Sequence, residues 1–261
     1  MGAGKMNSEF TYTIKSDSKK IIAKPIDEGH IDKIINFLKK KRVSSTNYKR
    51  LFGFECEPEF IREGALLETK EEEIYAALQE RDKYFSICLW GEEEEILALL
   101  IIQLDDLESF ISDINAFKLK RGFESKWDYW QKLKEDHQIA CKGDLVISND
   151  EIYKNVLLIL FHMTYRELLR LNRKVCVTEV FHILSCEDTE GIHKLDIFNE
   201  RSFISQVMGA GAIYVGDGKK KTKKICDEIS VTYYPSILEY ELERLYELSG
   251  YTIKKLNIEV S

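Results

Sequence analysis

The chain has 261 residues, room for one large domain or two small ones at roughly 100–200 residues each. It is 44% hydrophobic, 11% aromatic and 32% charged, with only 3 prolines and 14 glycines, which excludes collagen-like, linker-dominated and disordered chains. The formal charge of −7 argues against nucleic acid as the main partner, because phosphate binding needs concentrated positive charge.

The six cysteines, Cys56, Cys88, Cys141, Cys176, Cys186 and Cys226, include no C-x-x-C pair and no thiol–histidine cluster. They are expected to be free thiols in a reducing compartment, and no metal site is expected. Residues 1–9 lack the apolar segment of a signal peptide. The longest strongly apolar run, 96–102, is far short of the ~20 residues a membrane helix needs. A cytoplasmic protein without membrane insertion is the expectation.

Residues 1–20 are polar and mixed, and read as a partly disordered N-terminus. Residues 20–26 follow as a short strand stopped by Pro25. Asp27 then caps a predicted helix with Ile31, Ile34, Ile35 and Leu38 at helical spacing and a basic cluster at its end. A second helix is predicted over 68–80, with Ile74, Ala77 and Leu78 on one stripe. Residues 84–90 and 96–104 read as a hairpin around Gly91 and the solvated carboxylates Glu92 to Glu95. Residues 107–137 look like a helical insertion whose Trp127, Tyr129 and Trp130 pack over the core or line a substrate pocket.

A short strand is predicted at 144–148, then the clearest helix in the sequence, 151–173. The run 175–184 is a strong strand, and a helix is predicted from Asp196 or Asn199 to about 212. A short strand at 213–215, a lysine-rich turn at 219–224 and a strand over 225–234 follow, the last stopped by Pro235. A final helix is expected at 237–248, with Leu238, Leu242 and Leu245 on one face. Mixed elements around a strand–helix–strand crossover point to an α/β fold with a mixed, mainly antiparallel central sheet flanked by helices. The expected organisation is an N-terminal segment 1–20, a main domain 21–235 and a C-terminal helix and tail, 236–261, packed on it.

In order and pattern, residues 21–234 resemble the GNAT superfamily of N-acyltransferases. The stretch 24–38, KPIDEGHIDKIINFL, looks like the family's opening strand and first helix. Residues 89–98, LWGEEEEILA, look like its hairpin, and 148–157, SNDEIYKNVL, fall where it has a pyrophosphate loop. Residues 199–210, NERSFISQVMGA, are similar to its fourth helix. The resemblance implies acetyl-CoA or another acyl-CoA as co-substrate, lying in a splay between strands 144–148 and 175–184. It implies a small-molecule or peptide amine as acceptor, attacked directly in a ternary complex, with a homodimer as an open arrangement.

The implied donor contacts are main chain at Val146, Ile147 and Ser148, with Lys154, Asn155 and Asn199. Two departures from the family pattern stand out. Residues 150–155 hold no glycine, with Asn155 near a usual glycine position, and no tyrosine precedes Gly209 in the fourth-helix segment. Glu179, a carboxylate in an apolar strand, is the candidate base, since burial raises a carboxyl pKa toward a useful value. Tyr214 is the candidate acid, with Tyr233 and Tyr234 on a later strand, and ordinary packing accounts for each of the three as well. His182 lies three residues from Glu179, so the two face opposite sides of a strand. His162 reads as a satisfied helix histidine. Three alternatives stay open: a binding protein of this or another α/β fold without turnover, an acyltransferase using a carrier-protein donor, and some other transferase or hydrolase using the Glu179 region.

Overall fold

The computed structural model describes residues 10–16, 19–42, 71–110, 117, 122–147, 155–188, 191–194, 212–217, 220–224 and 230–261. The expected helix over 196–212 and the residues Ser148, Lys154 and Asn199 lie outside these. The strands are β1 (Tyr12–Ser16), β2 (Lys19–Lys24), β3 (Tyr84–Trp90), β4 (Ile96–Leu104), β5 (Ile139–Ile147), β6 (Val175–Asp188), β7 (Gly191–Lys194), β8 (Ala212–Asp217), β9 (Lys221–Lys224), β10 (Ser230–Glu241) and β11 (Glu259–Val260). The helices are α1 (Ile31–Arg42), α2 (Glu71–Gln79), α3 (Leu107–Phe110), α4 (Phe123–Glu135), α5 (Val156–Arg170) and α6 (Leu242–Lys255).

Among the described residues all eleven strands join one sheet in the order β11-β1-β2-β3-β4-β5-β6-β10-β8, with β7 on β6 and β9 on β10. Every described pairing is antiparallel except β5 with β6. The fold class is therefore the expected one: a mixed, mainly antiparallel sheet flanked by helices. β3 and β4 are buried along almost their whole length, because helices cover both faces there. This explains why they read as continuous apolar runs rather than alternating ones.

On one face, α5 and α6 pack Leu160, Met163, Leu168, Leu242 and Ile253 against Ile14, Ala23, Ile87, Leu97 and Leu100. On the other, α1 and α2 bring Ile34, Ile35, Ile74 and Ala77 onto Cys88, Leu99 and Ile101. α4 continues that second layer, with Phe123, Trp130 and Leu133 over Cys141, Val175, Val177 and Ile237. Each such aliphatic side chain contributes about 1.5–3 kcal/mol relative to exposure. Arg173, almost wholly buried, ties the layers together: its guanidinium donates to the Asp105 carboxylate and, at 3.2 Å, to the Ile139 carbonyl.

Several boundaries differ from the sequence reading. Tyr12–Ser16, assigned to a partly disordered N-terminus, forms β1, a tight hairpin with β2 that also pairs β11. β5 starts at Ile139, five residues before the strand expected at 144. Lys221–Lys224 is a strand on β10 rather than a turn. Pro235 does not end a strand, because β10 runs through it to Glu241 and the last helix begins only at Leu242. β10 pairs β9 through Tyr233 and β8 from Ser236. Pro235 falls between those two registers, where a missing N–H costs no described ladder bond on that edge.

Candidate active site

The parallel pair β5–β6 forms a fork. The strands pair at three positions only, Ile139↔Val175, Ala140↔Cys176 and Cys141↔Val177. Beyond them β5 continues to Ile147, paired only with β4 among the described residues, and β6 continues to Asp188, paired with β10 on its outer edge and, from Ser185 to Asp188, with β7 on the edge that faces the fork. β5 stays laddered to β4 as far as Ala98↔Ile147. Successive backbone groups of a strand point to alternate sides, so every second N–H and C=O of 142–147 faces the fork. A buried chain cannot leave such groups unpaired without cost, so the fork offers main-chain partners to an extended amide-bearing ligand. This is the splay expected from the resemblance, between the two strands named there.

α5 starts from the open end of the fork. Asn155 precedes its first turn with φ 62°, in the left-handed region that glycine and asparagine tolerate best. Among the described residues the first turn, Val156 onward, carries no acidic side chain, and Asn155 gives it no side-chain cap. The N–H groups and positive dipole end of a helix's first turn suit an anion.

Val146 and Ile147 lie on the free stretch of β5, opposite Leu99 and Ala98 of β4. Glu179 lies on β6, two residues beyond the last pair with β5, and opposite Ile237 of β10. Tyr214 lies on β8 opposite Leu238 of β10. One strand therefore separates Glu179 from Tyr214, a spacing of roughly 10 Å at about 4.8 Å per strand. His182 is opposite Tyr234, further along β6.

Sequence reasoning missed Glu239. It lies on β10 opposite Val177, level with the point where the fork opens, and only 1% of it is exposed. Its carboxylate accepts a bond from Trp130 Nε1 at 2.6 Å and one from Lys126 Nζ at 2.8 Å. Assigning 237–248 to a helix hid it. The β-branched and aromatic content of Val231, Thr232, Tyr233, Tyr234, Ile237 and Tyr240 was the available signal for a strand through this position.

Burial pushes the Cys141 thiol well above its usual range, and it also raises the Tyr165 and Tyr240 hydroxyls. His162 is held down to about 4 by burial and by Arg166, so it is neutral near pH 7. Its Nδ1 lies 2.8 Å from Ser249 Oγ and its ring stacks on Tyr246 at 4.7 Å, which makes it a joint between α5 and α6. Among the described residues no group of three or more His, Cys, Asp or Glu side chains could hold a metal ion. None of the described helices is long and apolar enough to cross a membrane.

No family model matches the sequence, and no curated protein matches it. Among solved structures the chain is similar to a probable acetyltransferase from Staphylococcus epidermidis, at 12% identity and a TM-score of 0.47 over 85% of this chain and 98% of that one. It is similar to the ribosomal-protein-S18-alanine N-acetyltransferase from Escherichia coli, at 8% identity and a TM-score of 0.45 over 85% and 94%. It is also similar to spermidine N-acetyltransferase from Vibrio cholerae in complex with CoA and spermine, at 12% identity and a TM-score of 0.42 over 84% and 95%.

Proposed function

We propose that the chain is a GNAT-like N-acyltransferase that moves an acyl group from acyl-CoA to an amine. The β5–β6 fork carries this reading: two parallel strands pair at three positions and then part, leaving main-chain groups of 142–147 free for a pantetheine tether. The donor contacts are main chain at Val146, Ile147 and Ser148. The pyrophosphate sits at the start of α5 with Lys154, Asn155 and Asn199.

The acceptor's ammonium loses a proton to Glu179, directly or through water, and the amine nitrogen attacks the thioester carbonyl. The C–N bond forms, the C–S bond breaks, and the departing thiolate takes a proton. Tyr214 supplies that proton through water, because β10 lies between it and β6. No covalent enzyme intermediate is needed. The protein works in the cytoplasm, as a monomer or a homodimer.

Thiol release from acetyl-CoA and longer acyl-CoAs, measured against a panel of amines, tests the reading. Release that depends on the amine supports it; tight CoA binding without release from any donor contradicts it. Glu179→Gln is expected to lower turnover by at least ~10²-fold, and unchanged turnover removes Glu179 from the mechanism. Lys154→Glu is expected to weaken CoA binding in calorimetry, and unchanged affinity separates residue 154 from the phosphates.

A further inference from the structure

Lys126 and Glu239 form a pair whose two members are buried very unequally. The Glu239 side chain is 2% exposed and the Lys126 side chain 36%. Of the two donors bound to the carboxylate, Trp130 is fully enclosed and cannot leave without unpacking α4. Lys126 is a flexible chain reaching in from the surface of α4, with its Nζ also 5.4 Å from the centre of the Tyr129 ring. An exposed lysine gives a surface pair little stability, because ordering its long side chain offsets the attraction. A buried carboxylate nonetheless needs a cation or a donor at that position.

The place is as telling as the chemistry. Glu239 is opposite Val177, and Val177 is the last β6 residue to pair with β5. The carboxylate is therefore level with the mouth of the fork, one strand away from it, and on the face that α4 covers. A carboxylate fixed by Trp130 and closed, among the described residues, by an ammonium that also stands 5.4 Å from the Tyr129 ring centre has the chemistry of a primary-ammonium site.

We propose that Glu239 is the acceptor-recognition carboxylate, and that Lys126 occupies its place as an internal stand-in until an acceptor displaces it. This rests on the acyltransferase reading and narrows it: the acceptor carries a primary ammonium on an unbranched alkyl chain, as Lys126 itself does. Lys126 then sets a threshold, since an acceptor binds only by outcompeting a tethered copy of its own functional group.

Binding is read without turnover, on the full chain saturated with CoA. The probes are n-butylammonium for a free amine and Nα-acetyl-lysine amide for a peptide-borne one, each titrated by calorimetry. Lys126→Met keeps the chain length and removes the charge at a half-exposed position. It is expected to tighten at least one probe by about two- to fivefold, the scale of one surface ion pair. The probe that tightens identifies the source of the amine. Glu239→Gln, added to Lys126→Met, is expected to abolish the gain.

Unchanged or weaker binding of both probes in Lys126→Met, with a lowered melting temperature, would overturn the proposal and leave the pair as an anchor for α4. Tightened ammonium binding in a chain that releases no thiol would instead sink the acyltransferase reading and leave the ammonium site standing. Thiol release with no change in probe affinity would do the reverse.

Discussion

Asn155 and Tyr12 show how single residues set up the two ends of α5. At φ 62° a side chain branched at Cβ is strained, whereas glycine is free. Asn155→Val is therefore expected to cost about 1–2 kcal/mol in denaturant unfolding, with Asn155→Gly within a few tenths of the parent. An equal loss in both variants would mean that the side chain, not the backbone, matters there. At the other end the Tyr12 hydroxyl donates to the buried Glu167 carboxylate, which also accepts from Arg170 Nε at 2.9 Å. Burial, and then this bond, raises the Tyr12 hydroxyl pKa. Tyr12→Phe leaves a buried carboxylate short of a donor, and a loss of about 1–3 kcal/mol is expected.

Among the elements, the joint between α5 and α6 responds to pH in a defined direction. Folded His162 titrates near 4, below its usual 6.5, so between these values the unfolded chain binds the extra proton. His162 thus contributes stability that is complete above about pH 6.5 and is lost as the pH falls through 4. The melting temperature is expected to drop over this window, and His162→Gln is expected to flatten that part of the profile. An unchanged slope would show that other groups set it. The same joint is close at Gly250, where an added Cβ would stand 3.3 Å from His162 Cε1. Gly250→Val is expected to be destabilising by about 1–3 kcal/mol, read from the shift in unfolding midpoint.

What the sequence revealed differs from element to element for physical reasons. α1, α2 and α5 were legible because each keeps one apolar period, and the β3–β4 hairpin because two continuous apolar runs flank a charged turn. β10 was not, because a proline in its middle marks a strand's end unless the neighbouring strands break register at the same place, and register is invisible in one sequence. β5 was read short because Lys142 and Gly143 interrupt its apolar run. The fork's two strands were identified together with their divergence. Glu239 was not found, since its value comes from Val177 on one side and Trp130 and Lys126 on the other, contacts across 62, 109 and 113 residues of chain.

At the scale of the molecule, the sheet is a continuous antiparallel ladder interrupted at one parallel joint, and the joint opens between two helical layers. A ligand that fills it binds the folded chain alone, so saturating CoA at about 100 times its dissociation constant is expected to stabilise the protein by about 2.7 kcal/mol. Heat-unfolding curves with and without CoA check this, and superimposed curves would count against the fork as a donor site.

Amide hydrogen exchange along β5 tests the central claim most directly. In the free chain every second amide of 142–147 is expected to exchange quickly, while its neighbours, bonded to β4, are slow. Saturating CoA is expected to slow those fast amides at least about tenfold and to leave the β4-bonded ones unchanged. If all the amides of 142–147 are already slow in the free chain, or if CoA changes none of them, the main chain of β5 does not hold the donor.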